Sequence, residues 1–203
     1  MNINEEIARL RDLLPASWRM TTSIKSKPEQ NEPIASSQIL PWSKGVQVGI
    51  NFRWWRQLPE AQRDLLLLHE ISWRQKTKWL QIGAYQGIAA VSLVGGVVET
   101  LQGDVTGIAI ALLLGTIGIN QILRGNKSSQ VRVEADQEAI SIAQKRGYTE
   151  EEAAKVLLEA IPAVARLIGR NTPEFTELIR CQNLKAIAGL SKTTIPDTLI
   201  NDF

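Results

Sequence analysis

Residues 79–98, WLQIGAYQGIAAVSLVGGVV, and residues 105–123, VTGIAIALLLGTIGINQIL, contain no Asp, Glu, Lys or Arg. Each comes close to the roughly 20 mainly apolar residues with which an α-helix crosses a bilayer. The six residues between them allow only an antiparallel turn, so the pattern predicts a two-helix transmembrane hairpin over 79–123. Glu99 and Asp104 sit at its tip, while Arg74, Lys76 and Lys78 precede it and Arg124 and Lys127 follow it. Cytoplasmic loops are enriched in bases, which predicts a multi-pass membrane protein with both termini cytoplasmic. Gly83 and Gly87 have the spacing at which helices approach closely in lipid, and Trp79 and Tyr85 suit an interfacial aromatic belt. The alternative reading is a helical hairpin buried in the core of a soluble protein, since seven glycines dilute the two runs.

The stretch divides the 203 residues into an amino-terminal part, 1–78, the hairpin, 79–123, and carboxy-terminal helices, 124–203, expected to pack against the amino-terminal part. Net charge is +2, with 23 bases against 21 acids, so the bulk composition does not ask for nucleic acid. One cysteine, Cys181, rules out an internal disulfide framework and suits a reducing compartment. The start, MNINEEIARLRDLLP, is acidic and amphipathic and lacks the basic and apolar regions of a signal peptide.

Flanking the stretch, the pattern is mainly α with a small β element. Ile3, Ile7, Leu10 and Leu14 recur at helical spacing until Pro15. MTTSIKS reads as a weak strand, followed by a loop broken at Pro28 and Pro33. Val46, Val48, Ile50 and Phe52 alternate as a strand does, giving a sheet of two or three strands. PEAQRDLLLLHEISWRQK is a helix with early acids and late bases, and its run of four leucines predicts burial on more than one side. Beyond the hairpin, SSQVRVEADQEAISIAQKRGY is a helix that Gly147 can end, Thr149 and Glu152 form a capping box for the next, and Thr172 with Pro173 opens the last.

His69 and Glu70 lie on the helix before the hairpin, and Glu134, Asp136 and Glu138 lie on the helix after it. In LPEAQRDLLLLHEISW and VRVEADQEAISIAQKRGYTEEEAAKVL the chain resembles membrane zinc metallopeptidases of the HtpX and CAAX-prenyl-protease type. Those carry His-Glu-x-x-His on one helix and a Glu-x-x-x-Asp helix with the third zinc ligand. The resemblance covers about residues 45–158 and implies that the two helices pack together. It also implies a degenerate site. The second histidine position holds Trp73, and the third ligand position, four before Asp136, holds Arg132. Indole does not coordinate zinc, a guanidinium repels it, and a catalytic zinc site normally has three protein ligands.

What remains is a vestigial set, His69, Glu70, Trp73, Arg132 and Asp136, with no catalytic residue, no metal and no cofactor. Two readings of Arg132 stay open: a fixed cation paired with Asp136 one turn away and shared with Glu70, or a solvent-facing residue. Trp54, Trp55 and Trp79 are candidate contacts with lipid headgroups. The pattern also resembles an uncharacterised family of cyanobacterial membrane proteins, a resemblance that implies a bacterial plasma or thylakoid membrane. The expected function is a non-catalytic membrane protein, a degenerate metallopeptidase-like scaffold for protein–protein interaction or membrane-complex assembly, with the bilayer and another protein as partners. The alternatives are an active membrane metallopeptidase with an unusual site and a membrane-anchored structural factor of other ancestry.

Overall fold

A computed structural model describes residues 1–37, 45–77 and 129–190. The chain opens with helices α1 (Ile3–Leu13) and α2 (Ala16–Arg19). Asn2 caps α1 by accepting the Asn4 amide at 3.1 Å, and Glu5 and Glu6 face the positive end of its dipole. Strands β1 (Thr22–Ser26), β2 (Ile34–Ser36) and β3 (Val46–Ile50) form one sheet in the order β1-β3-β2. β1 runs parallel to β3 and β2 antiparallel to it, with Ile24 opposite Val48 and Ser36 opposite Val48 on the other side. Where β1 and β3 come together, the Val46 amide donates to the Thr21 carbonyl at 2.8 Å. A Cβ at Gly45 would collide with that same carbonyl, so the entry to β3 requires glycine.

Helix α3 (Phe52–Trp55) begins at Asn51, whose side chain accepts the Arg53 amide at 3.0 Å. The same side chain donates to the carbonyls of Pro28 and Gln30 at 3.0 and 2.8 Å, tying the loop after β1 to the end of β3. Helix α4, residues 60–77, then runs through the middle of the molecule. Leu65, Leu67, Leu68 and Ile71 are each fully buried, so the four-leucine run is covered on all sides. Burial of one such side chain is worth about 1.5–3 kcal/mol. Their core includes Leu10 and Leu14 of α1, Val48 and Ile50 of β3, and Trp55.

Helices α5 (Ser129–Gln144), α6 (Glu150–Leu167) and α7 (Phe175–Ile187) pack on one another and close the core with Ala139, Ala143, Leu157 and Leu184. Gly147, at φ +99°, turns the chain out of α5, and the Thr149–Glu152 capping box opens α6, both as the sequence predicts. α6 runs on through Pro162. α7 starts two residues later than Thr172 and Pro173 suggest, because Glu174 caps it reciprocally with Glu177.

The expectation of a helical membrane protein with a multi-pass placement needs correction. No helix among the described residues is long and apolar enough to cross a membrane. The two longest show why. α4 carries Glu60, Arg63, Asp64, Glu70, Arg74 and Lys76, most of them buried or half-buried in pairs within the protein, and α6 carries Glu150, Glu151, Glu152, Lys155, Glu159 and Arg166 on a face exposed to water. The stretch 79–123, including Trp79, lies outside the described residues. Of the other expected headgroup contacts, Trp54 is half-buried, but Trp55 is fully buried and its indole N–H donates to Glu6 at 3.2 Å, which removes it from any interface.

Candidate functional site

α4, α5 and α7 meet around a carboxylate with no exposure at all. Asp136, on α5, accepts two parallel hydrogen bonds from Arg180 of α7, Nε to Oδ2 and Nη2 to Oδ1, each 2.8 Å. This fork-on-fork geometry is the strongest form of the pair. Burial alone would raise the Asp136 pKa, but the guanidinium, with His69 second, holds it down to about 2. Nδ1 of His69, on α4, is 2.7 Å from Asp136 Oδ1. It lies out of line for a straight hydrogen bond, and Nε2 has no partner among the described residues. Burial and the nearby Arg180 charge push the His69 pKa down, more than Asp136 pushes it up, so the imidazole is neutral at pH 7.

Glu70 belongs to a different arrangement. Its Oε1 accepts the Ser36 amide at 2.9 Å and the Ser36 hydroxyl. Arg74 then donates from Nε to that hydroxyl and from Nη2 to the Ser36 carbonyl at 2.8 Å. The carboxylate thus fastens an end of β2, a sheet-edge strand whose backbone groups need partners.

The two positions that resemble lost zinc ligands touch each other. The Arg132 guanidinium sits 4.1 Å from the centroid of the Trp73 ring, and Arg74 stacks on the same ring at 4.2 Å. Such cation–π contacts stabilise by about 0.5–2 kcal/mol. Among the described residues, Arg132 neither pairs with Asp136 nor reaches Glu70. The expectation that it neutralises both carboxylates is therefore corrected: Arg180 pairs with Asp136, and Arg74, 4.0 Å from Glu70, is the cation beside the carboxylate that Ser36 hydrogen-bonds. The residues present do not fit a zinc ion, since an indole and a guanidinium fill the space between the two helices at the ligand positions. Among the described residues no group of three or more His, Cys, Asp or Glu side chains could hold a metal ion.

These groups line a cavity of about 450 Å³. Its lining combines apolar side chains, Leu66, Ile161, Val164 and Ile168, with His69, Glu70, Trp73 and Arg132. At its mouth Arg170 bonds Glu177 at 2.5 Å and Glu174 at 3.0 Å. His69, Glu70, Trp73, Arg132 and Asp136 thus converge, on α4 and α5. Arg180, Arg170 and Ser36 were not foreseen. A buried acid demands a base, but helical spacing in FTELIRCQNL does not say that Arg180 turns inward. Cys181 is half-buried, with its thiol pKa raised by burial, and is not poised as a nucleophile.

The fold is therefore a helical domain with a three-stranded sheet and a charged, half-apolar cavity between its helices. The chain belongs to the DUF3318 family, described as proteins of unknown function, which matches residues 8–148. It is also 31% identical over 149 residues to the thylakoid membrane protein slr1949 of Synechocystis sp., a match covering 71% of this chain and 69% of that one. The resemblance to a cyanobacterial family thus holds, whereas neither match carries a peptidase in its description. No solved structure matches the chain.

Proposed function

We propose that this protein acts at the thylakoid membrane as a non-catalytic binding and assembly module, in which a metallopeptidase-like pair of helices has become a metal-free cleft. The reading rests above all on the contact between Arg132 and Trp73, because a stacked cation lies where a catalytic zinc would need two ligands. Two further observations support it. Asp136 is already saturated by Arg180, and Glu70, the would-be general base, is spent on the backbone of β2. Thylakoid association draws on the description of the Synechocystis relative.

Elemental analysis of the full chain, purified from zinc-supplemented cells and washed with chelator, tests the metal-free reading together with a peptide-cleavage assay. Substoichiometric zinc and no cleavage are expected. About one zinc per chain that disappears in His69→Ala, as a protein-ligated site requires, overturns it. For the binding role, proximity labelling in thylakoid-containing cells should recover the same neighbours with the wild-type chain and with Glu70→Gln, since no general base is needed. Loss of membrane fractionation in both would refute the thylakoid assignment.

A further inference from the structure

The cavity offers more recognition chemistry than the fold itself uses. Arg132 projects five N–H donors in a fixed fork. Among the described residues its close contact is the face of Trp73, which orients the guanidinium without occupying those donors. Nε2 of His69, itself only 3% exposed, and Nε1 of Trp73 are buried without a hydrogen bond. Buried polar atoms left unpartnered are uncommon in folded proteins, and here both residues line one cavity. Nδ1 faces Asp136, so the neutral ring places its proton there and leaves Nε2 as an acceptor. The cavity is also lined by the apolar side chains of Leu66 on α4 and Ile161 and Val164 on α6, with Ile168 at the end of α6. A volume of about 450 Å³ falls within the range of small-ligand sites.

We infer that this cavity binds a monocarboxylate with an apolar body and an N–H donor beside the carboxylate, the Arg132 fork taking the carboxylate and His69 the donor. A doubly charged anion fits worse, because Glu32, Glu70, Glu174 and Glu177 also line the site. The same chemistry occurs in a free N-acyl amino acid and at the carboxy terminus of a peptide. This assignment rests on the metal-free reading above and names the ligand class for that cleft.

Isothermal titration of the full wild-type chain with N-acetyl-leucine, its carboxamide, 4-methylpentanoate and the tripeptide N-acetyl-Ala-Ala-Leu tests it. The acid is expected to bind saturably. The carboxamide should bind at least about 10-fold more weakly for loss of a charge-assisted bond, and 4-methylpentanoate about 5-fold more weakly for loss of a neutral one. Tighter binding of the tripeptide assigns the site to chain termini, and equal binding assigns it to small molecules. Both outcomes support the carboxylate chemistry. Arg132→Gln should remove the preference for acid over amide, whereas Lys155→Gln, exposed on α6, should keep it. Equal affinity for acid and amide, or no heat with any probe at millimolar concentration, overturns the inference, and it does so on the unmutated chain. If the zinc measurement remains negative while binding fails, only the ligand class is lost. Stoichiometric zinc would instead remove the cleft reading itself.

Discussion

Two clusters of buried charge hold α4 in place, and they are finished to different degrees. At its amino-terminal end, Glu6 accepts from Arg9 twice at 3.0 Å, from Trp55 at 3.2 Å and from Arg63 at 2.5 Å. Asp64 accepts from Arg9 at 2.6 Å and from Tyr148 at 3.1 Å. Every carboxylate oxygen there has a donor, and Arg63 Nε is left over. Further along α4 the inventory does not close: Asp136 is saturated, yet Nε2 of His69 and the indole nitrogen of Trp73 are not. A closed network serves rigidity, because its groups have no reason to meet anything else. An open one in a cavity wall retains capacity for a guest.

The sharpest way to break that contrast is Arg180→Ala. It leaves Asp136, with no exposure, as an unpaired buried charge, and denaturant unfolding should register a loss of about 3–5 kcal/mol. Replacing Asp136 and Arg180 together by leucine should recover most of it. A loss under about 1 kcal/mol, the range of exposed pairs, would mean that water reaches Asp136 and that the pair is no anchor. In the closed cluster, Glu6→Ala should cost about 1.5–3 kcal/mol, the worth of hydrogen bonds to a charged group, and leave ligand binding in the cavity untouched. Impaired binding in that variant would join the two clusters into one unit.

The smallest effect is a pH dependence. Burial keeps the folded His69 imidazole below 6.5, so the unfolded chain takes up the proton first; stability is full above 6.5 and declines as the pH falls below it. His69 is the sole histidine, so its imidazole resonance can be followed by NMR without assignment, and His69→Phe should flatten the decline. Asp136 works in the same direction at lower pH. Its contribution is present above 3.8 and is lost as the pH falls toward about 2. A His69 midpoint above 6.5 would make its contact with Asp136 a true ion pair and close the open cluster.

Local chemistry made much of this legible in advance. The helix from Pro59, the capping box at Thr149, the turn at Gly147 and the alternation over Val46–Ile50 all act within a few residues, and all appear in the fold. β2 did not stand out, because three residues after Pro33 are too short for a period to show. Within the site, the packing of the His69 helix on the Asp136 helix was expected only as what the resemblance to zinc metallopeptidases implies, and the contact of Trp73 with Arg132 was not foreseen. Nor were the partners of the two acids, since Arg180 is 44 residues from Asp136 and Ser36 is 34 from Glu70. Pairing at such distances is decided by tertiary packing, which no local pattern encodes. The charge-rich faces of α4 and α6, weighed beside the apolar runs, already argued for helices that pack in protein.

Arg146 adds a statement about timing. It donates to the carbonyls of Leu13 and Leu14 at 2.9 and 3.0 Å, across 133 and 132 residues. The carboxyl end of α1 is therefore capped in part by a side chain made much later. Leu14 also accepts from Arg19 Nε at 2.9 Å, close by in sequence, but at about 5–20 residues per second the Leu13 carbonyl waits roughly 7–27 s for Arg146. Throughout that interval α1 lacks this partner, and Glu6 lacks Arg63 for part of it. Closing this end of the helix is therefore a nonlocal step, completed only when α5 is in place.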